Sequence, residues 1–170
     1  MPIQRLNHAV LYVRDAQRSA AFYCDVLGFR RLVDTPTAVF LQAEGSTNDH
    51  DLGLFGVGDD VGPSGAGRKT VGLYHLAWEV DTLEELDRIR TALIDRGSLV
   101  GASDHGSTKA LYAHDPDGLE FEVSWLVPAD QLTGESMSDG GGTIRPLDLP
   151  GEIRRYGATT RGGVGISIPV

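Results

Sequence analysis

The order of hydrophobic and polar residues in the first half of the chain is repeated in the second half. Residues 6–13, which read LNHAVLYV, are apolar and β-branched enough to predict a buried strand. Apolar residues then recur at helical spacing after Asp15, a suitable N-cap, and Gly28 stands where a C-terminal cap belongs. Three more strands are predicted after this helix, at residues 29–34, 38–42 and 51–57.

The second half of the chain repeats this order. Residues 73–80, LYHLAWEV, align with residues 6–13, with histidine on histidine and valine on valine. A T-x-x-E capping box opens the next helix and a glycine ends it. Strands are then predicted at residues 99–103, 110–113 and 119–125. The chain therefore contains two βαβββ units about 67 residues apart, counted from His8 to His75.

Two segments fall outside the repeat. Residues 58–70 are rich in glycine but lack the spacing of a phosphate-binding loop, so they are interpreted as a linker or lid. The composition changes again in residues 128–170, which we interpret as a C-terminal extension that is either flexible or packed on a neighbouring subunit. The last eight residues, GVGISIPV, are compatible with a short strand. We predict one domain over residues 1–127, with modules at about 5–57 and 71–127.

The composition limits the classes of binding partner and the cellular compartment that we expect. The net charge of −9 disfavours nucleic acid, because phosphate binding requires a basic face. No run approaches the roughly 20 apolar residues that cross a bilayer, and the N-terminus lacks a secretory pattern. The single cysteine, Cys24, lies on an apolar helical stretch and is interpreted as buried filler. We therefore expect a cytoplasmic protein with no membrane partner.

The repeat places two histidines at equivalent strand positions. If the units pack about a pseudo-twofold axis, His8 and His75 face one another across a shared cavity, where burying two unpartnered imidazoles would be costly. A metal ion would satisfy both, although each histidine alone is also compatible with a hydrogen-bonded place in the core. The last strand offers Glu120 and Glu122 on one face as a carboxylate ligand. The residues themselves do not choose between these two.

Four further polar residues lie near these strands. His50 begins the last strand of the first unit, and His105 and Tyr112 precede a D-P-D-G turn. His114 shares a strand face with Tyr112. Taken singly, each of them is better explained as a polar residue in a loop or at a strand end. The chain has no G-x-S-x-G setting for a serine nucleophile, and a paired-carboxylate glycosidase would leave the repeated histidines unexplained.

Over roughly residues 5–127 the chain resembles the vicinal oxygen chelate superfamily, which includes glyoxalase I, fosfomycin-resistance and bleomycin-resistance proteins, and extradiol dioxygenases. The resemblance implies an α+β fold in which two paired βαβββ modules form an incomplete mixed β-barrel around a metal site. In this family a ligand glutamate follows the glycine of a D-P-D-G turn by four residues. That habit implies Glu122 as the ligand rather than Glu120.

The details most resemble the type I extradiol dioxygenases, which hold Fe(II), or less often Mn(II), with two histidines and one glutamate. The resemblance implies that His8, His75 and Glu122 bind the metal. It implies a single-domain enzyme that uses O2 to open the ring of a catechol-type diol and gives a hydroxymuconic semialdehyde type of product. A homodimer or higher homo-oligomer is also expected.

The same resemblance implies catalytic roles for three residues. His50, in H-D-L-G-L, matches the acid–base histidine; His105, in D-H-G, matches a pocket histidine; and Tyr112, three residues before the turn, matches a pocket tyrosine. The segment from His105 to Asp115 is about two residues shorter than in two-domain extradiol enzymes. Pocket shape, and with it the substrate, is where this chain is expected to differ from them.

Two other functions within the superfamily stay open at this stage. A metal-dependent isomerase or transferase of the glyoxalase or fosfomycin-resistance type generally takes one more ligand from the last strand of the first module. That strand reads L-G-L-F here and has no carboxylate in its middle. A metal-free binding protein of the bleomycin-resistance type is the other alternative.

Overall fold

A computed structural model describes residues 2–3, 5–67, 69–133, 144–163 and 166–167 of the chain. The chain divides into two compact units. The first contains Met1–Gly65 and Asp115–Leu119, and the second contains Ala66–His114 and Glu120–Val170. Each unit is built on one βαβββ module with its own mixed sheet, which confirms the α+β class and the two modules. Within the described ranges, no helix is long and apolar enough to span a bilayer.

The first unit is a four-stranded sheet with one helix. Its elements are β1 (Ala9–Val13), α1 (Ala16–Leu27), β2 (Arg30–Asp34), β3 (Ala38–Gln42) and β4 (Leu52–Gly56). The strand order is β1-β4-β3-β2, and β1 runs parallel to β4, with Ala9 opposite Leu52. This parallel pairing places the starts of β1 and β4 side by side, which later positions two histidines.

Helix α1 begins and ends where the sequence predicts. The Asp15 side chain accepts hydrogen bonds from the first-turn backbone N–H groups of Gln17 and Arg18. Gly28 closes the helix in the left-handed region at a φ of 71°, which favours glycine because it has no Cβ. The apolar stripe of α1 is buried and packs against β3 and β4, so one face of the sheet forms the core of this unit.

The second unit repeats this arrangement and extends it. Its elements are β5 (Leu76–Glu79), α2 (Leu83–Asp95), β6 (Leu99–Asp104), β7 (Thr108–His114), β8 (Glu120–Leu126), a 3-10 turn (Ala129–Gln131), β9 (Arg145–Pro146) and α3 (Leu149–Tyr156). The strand order is β5-β8-β7-β6-β9, with β5 parallel to β8. Thr82 caps α2 as predicted, because its hydroxyl accepts the backbone N–H of Glu85.

The predicted strands and helices of both modules are present, and the largest differences are at the starts of β1 and β5. These strands begin at Ala9 and Leu76, three residues later than predicted, because their pairing with β4 and β8 starts only there. His8 and His75 therefore lie just before their strands rather than within them. The described part of the predicted linker, 58–67 and 69–70, contains no helix or strand.

The C-terminal extension, expected to be flexible or to contact a neighbouring subunit, contributes residues 144–163 to the second unit. Strand β9 pairs with β6. Helix α3 packs against α2, and its Tyr156 ring lies 5.5 Å from that of Trp125, centroid to centroid. The predicted C-terminal strand falls mostly on residues 164–165 and 168–170, which lie outside the described residues.

The D-P-D-G turn is held by a buried carboxyl group. Asp115 is 5% exposed, and its Oδ1 accepts the backbone N–H groups of Asp117 and Leu119 at 2.8 and 2.9 Å. The Tyr23 hydroxyl donates to its Oδ2 at 3.3 Å. Burial raises the pKa of Asp115 from its ordinary value of 3.8, although the hydrogen bonds oppose this.

Replacing Asp115 by Asn is expected to flatten the dependence of stability on pH. A raised pKa in the folded state contributes stability that is fully present below 3.8 and is lost as the pH rises through the folded-state pKa. The asparagine Oδ1 can still accept both backbone N–H groups, so the turn is retained. Urea unfolding of both proteins across this window checks the prediction, which fails if the two free-energy curves stay parallel.

Candidate functional site

His8 and His50 lie together in the first unit. Each stands just before a strand, and the parallel pairing of β1 with β4 brings those strand starts together. Their ring centroids are 4.3 Å apart, and Phe40 packs edge-on against His50 at 5.0 Å. His8 is exposed and His50 is half-buried. The sequence placed these two histidines in separate roles, and the structure makes them neighbours.

One hydrogen bond orients the His8 ring, and its partner Asn7 is held by a second side chain. Asn7 Oδ1 lies 2.7 Å from His8 Nδ1, and if this nitrogen carries the proton, Nε2 is left with a free lone pair. Asn48 Nδ2 bridges the Asn7 backbone carbonyl at 2.7 Å and Asp51 Oδ1 at 2.8 Å. His50 Nδ1 in turn lies 3.2 Å from Asp49 Oδ2. Sequence reasoning missed Asn7, Asn48 and Asp51, because the Asn48–Asn7 bond that links them joins segments 41 residues apart.

His75 and Glu122 form the corresponding cluster in the second unit. The parallel register of β5 and β8 places Ala77 opposite Glu122, so His75 comes to the start of β8. His75 Nε2 lies 3.3 Å from Glu122 Oε2, whereas its Nδ1 lies 3.9 Å from Glu120 Oε1. The two glutamates therefore share the histidine's face, as predicted, but contact different ring nitrogens.

The distances around His75 are compatible with a metal ion. Two donors that bind one ion at about 2.1 Å and at right angles lie about 3 Å apart, close to the 3.3 Å between His75 Nε2 and Glu122 Oε2. An imidazole nitrogen and a carboxylate oxygen are also the donor types of a two-histidine, one-carboxylate site. Within neither unit taken alone do the described residues gather three such side chains.

Tyr112 and His105 lie beside this pair. Tyr112 faces Glu122 across the β7–β8 ladder, and its ring centroid is 5.9 Å from that of His75. His105 Nε2 lies 3.0 Å from the Tyr112 hydroxyl. Burial, followed by the charge of Glu122 and a hydrogen bond to it, raises the pKa of Tyr112 to about 12. The phenol is therefore a hydrogen-bond donor at neutral pH.

His114 is set apart from this group. Its side chain is 46% exposed, and its Nε2 lies 3.7 Å from Glu120 Oε2. Glu120 thus lies between His114 and the Nδ1 side of His75, away from the nitrogen that faces Glu122. The second unit gathers His75, Glu122, Tyr112 and His105, and it leaves His114 and Glu120 at the edge of the group.

Comparison with known families identifies the fold that carries these residues. Residues 5–123 match the family model described as the Glyoxalase/Bleomycin resistance protein/Dioxygenase superfamily. The chain belongs to this superfamily. The match spans both βαβββ modules and stops before the C-terminal extension, so β9 and α3 lie outside the matched region.

Solved structures of superfamily proteins share the fold. A glyoxylase/bleomycin resistance protein/dioxygenase domain from Frankia sp. EAN1pec is 23% identical, with a TM-score of 0.57, over 72% of this chain and 92% of that one. A mutant fosfomycin resistance protein, FosX, from Listeria monocytogenes was solved with Mn(II) and a dihydroxypropylphosphonic acid. It is 20% identical, with a TM-score of 0.58, over 78% of this chain and 98% of that one.

Curated relatives in the superfamily carry more than one activity in their names. A catechol-2,3-dioxygenase of Bacillus subtilis is 34% identical over 89% of this chain and 52% of its own length, so the chain spans about half of that relative. A biphenyl-2,3-diol 1,2-dioxygenase of Rhodococcus globerulus is 34% identical over 85% of this chain and 80% of its own. A probable lactoylglutathione lyase of Synechocystis is 30% identical over 69% of this chain and 92% of its own length.

Proposed function

We propose that the protein is an extradiol ring-cleaving dioxygenase that uses Fe(II) and O2 on a catechol-type diol. The observation that carries this proposal is that His75, just before β5, lies beside Glu122 and the protonated Tyr112 phenol of the same unit. It combines two metal-type donors with a hydrogen-bond donor next to them. Two relatives at 34% identity that are named as diol dioxygenases add support.

The proposed metal ligands are His8, His75 and Glu122. Two imidazoles and one carboxylate are the ligands of non-haem iron oxygenases, whose remaining positions are open. Bound there, Fe(II), or less often Mn(II), would supply Lewis acidity and a template on which diol and O2 meet. The Asn7 contact to His8 Nδ1 would keep Nε2 available as the donor atom.

Tyr112 and His105 would orient the substrate. The phenol keeps its proton, which it shares with Glu122 in this structure. If Glu122 held the metal, the phenol could donate that proton to a diol oxygen and fix the ring in one orientation. His105 Nε2, 3.0 Å from the Tyr112 hydroxyl, limits the rotation of that hydroxyl. The Tyr112–His105 pair would therefore act before any bond is broken, by selecting one approach of the diol.

His50 would move a proton. An imidazole accepts and releases protons near neutral pH, and opening a diol ring requires removal of a hydroxyl proton and its later return. The His50 ring lies 4.3 Å from that of His8, a proposed ligand, centroid to centroid, so His50 would act close to the metal. The T-shaped contact with Phe40 and the Asp49 carboxylate hold its ring.

The composition of β4 favours this function over the glyoxalase type. By the family resemblance, a glyoxalase I-like protein would take a fourth ligand from this strand, which begins here with Leu52, Gly53 and Leu54. All three are buried and none has a donor side chain. A three-ligand site leaves room for both a chelating diol and O2, whereas a fourth protein ligand would occupy one of those positions.

Ring-fission turnover tests the proposal. Protein loaded with Fe(II) without oxygen and then offered a panel of catechols in air is expected to develop the yellow absorbance of a ring-opened semialdehyde. Protein carrying Glu122→Gln, treated in the same way, is the matched control and should stay colourless. Absence of colour with every catechol would overturn the proposed function, and metal-free protein as purified would favour a binding role.

Replacing Tyr112 by Phe is expected to lower kcat by about 10²-fold, the loss typical of one positioned hydrogen-bond donor. The ring contact with His75 is retained in phenylalanine, so metal content should not change. Steady-state kinetics on the best catechol of the panel, with iron analysis alongside, measure both. A kcat within threefold of wild type would remove Tyr112 from the proposed mechanism.

A further inference from the structure

Lys109 carries a buried positive charge in the second unit. Its side chain is 1% exposed, and it lies on β7 between Thr108 and Ala110. The ammonium group contacts the Asp104 carboxylate, the Gly106 carbonyl at 3.1 Å and Glu152 Oε2 at 2.9 Å. A buried ammonium requires such partners, because its desolvation is otherwise too costly. Nothing in the proposed chemistry uses this residue.

The partners of Lys109 come from two separate elements. Asp104 and Gly106 flank His105 in the β6–β7 turn, and Glu152 belongs to α3. Asp104 Oδ1 also accepts the Gly106 backbone N–H at 2.8 Å, and the His105 N–H donates to the Thr108 carbonyl at 2.9 Å. The ammonium therefore links the residues on either side of His105, and it connects them to helix α3 through Glu152.

Strand β9 pairs with the end of β6, directly before the same turn. Asp104 pairs with Arg145 in the β6–β9 ladder, and Ser103 pairs with Pro146. Helix α3 is anchored through Tyr156, whose ring lies 5.8 Å from Lys109 Nζ and packs on Trp125. The extension, which lies outside the superfamily match, thus meets the β6–β7 turn at two points.

We propose that Lys109 is a positioning residue that, through Asp104 and Glu152, holds the β6–β7 turn so that His105 stays in contact with the Tyr112 hydroxyl. The 3.0 Å contact between His105 Nε2 and that hydroxyl depends on where the turn places the imidazole. Helix α3 thereby helps to fix the position of His105, because it carries Glu152. The kinetic consequence rests on the proposed function, and the structural consequence does not.

The structural consequence is tested by nitrogen NMR of the His105 ring, which requires no turnover. In the wild type we expect one tautomer, fixed by the contact with Tyr112. In Lys109→Met, the His105 ring nitrogens should shift toward the averaged values of an unconstrained imidazole. Arg88→Met, which breaks an exposed ion pair with Glu85 on α2, is the matched control and should leave them unchanged. Unchanged His105 signals in Lys109→Met would overturn the proposal.

A second variant keeps the test valid if Lys109→Met does not fold. The triple change Asp104→Asn, Lys109→Met, Glu152→Gln removes every charge of the cluster, and neutral replacement of a buried ion cluster is generally tolerated. The triple variant should regain the melting temperature of the wild type. Its His105 ring nitrogens should still give the averaged signals of an unconstrained imidazole. Recovery of both the melting temperature and the wild-type His105 signals would mean that Lys109 serves stability alone.

Steady-state kinetics distinguish an effect of Lys109 that acts through His105 from a general loss of activity. Lys109→Met is expected to lower kcat/KM for a catechol about tenfold, as loss of a supporting partner typically does. In a His105→Phe background the same change should have no further effect. An equal loss in both backgrounds would overturn the proposal. If wild-type protein turns over no catechol, the proposed function fails, and the His105 signals alone decide the role of Lys109.

Discussion

Glu122→Gln is expected to lower Fe(II) affinity by more than the roughly 100-fold that loss of an outer partner costs, whereas Glu120→Gln should lower it by no more than about tenfold. Glu122 faces the same ring nitrogen of His75 that would bind the ion, and Glu120 faces the other one. An amide oxygen is a much weaker ligand than a carboxylate, so the first change removes a charged donor.

Competition with a coloured iron chelator measures both affinities under anaerobic conditions. The paired glutamates form a matched test, because they lie two residues apart on one strand and contact one histidine. The same ranking should hold for Mn(II), whose ligand preferences are similar. Equal losses in the two variants, or a larger loss in Glu120→Gln, would move the ligand assignment from Glu122 to its neighbour.

His50→Gln is expected to reduce kcat by about 10²- to 10⁴-fold, the contribution usual for a positioned acid–base group. Glutamine can retain hydrogen bonding to the Asp49 side of the site, but it cannot exchange a proton near neutral pH. Iron content should stay at the wild-type level, because His50 contacts His8 without being a proposed ligand.

His114→Gln is the matched control for this prediction. It removes a histidine that is half exposed and lies next to Glu120 at the edge of the second-unit group. Steady-state kinetics and iron analysis of both variants should show a large loss of kcat for His50→Gln and wild-type values for His114→Gln. Loss of iron from His50→Gln would instead make His50 a ligand, and unchanged kcat would remove it from the chemistry.

The sequence predicted the modules well because their signals are local. Strand periodicity, the Asp15 and Thr82 caps and the Gly28 stop each depend on a few neighbouring residues, and the structure contains all of them. The repeat also predicted the matching histidines, although it placed them within β1 and β5 and the structure places them just before these strands. Pairing of His8 with His50 was not predicted, since it depends on the parallel register of β1 and β4.

Other features depend on contacts that no local pattern reveals. Alternation along β8 predicted a shared face for Glu120 and Glu122, but only the register with β5 shows which ring nitrogen of His75 each one meets. Helix α3 was missed because it follows a glycine-rich stretch, although Leu149 and Tyr156 already form its buried stripe. The Lys109 cluster joins residues far apart in the chain, so charge patterning gave no signal of it.

Labelled oxygen tests most directly whether the proposed enzyme uses iron to insert O2 into a diol. Iron-loaded protein and a catechol that it turns over are exposed to ¹⁸O2, and the product is trapped rapidly and analysed by mass spectrometry. We expect a ring-opened product in which both added oxygen atoms come from O2. A product labelled only from water, or a catechol recovered with its ring intact, would contradict it.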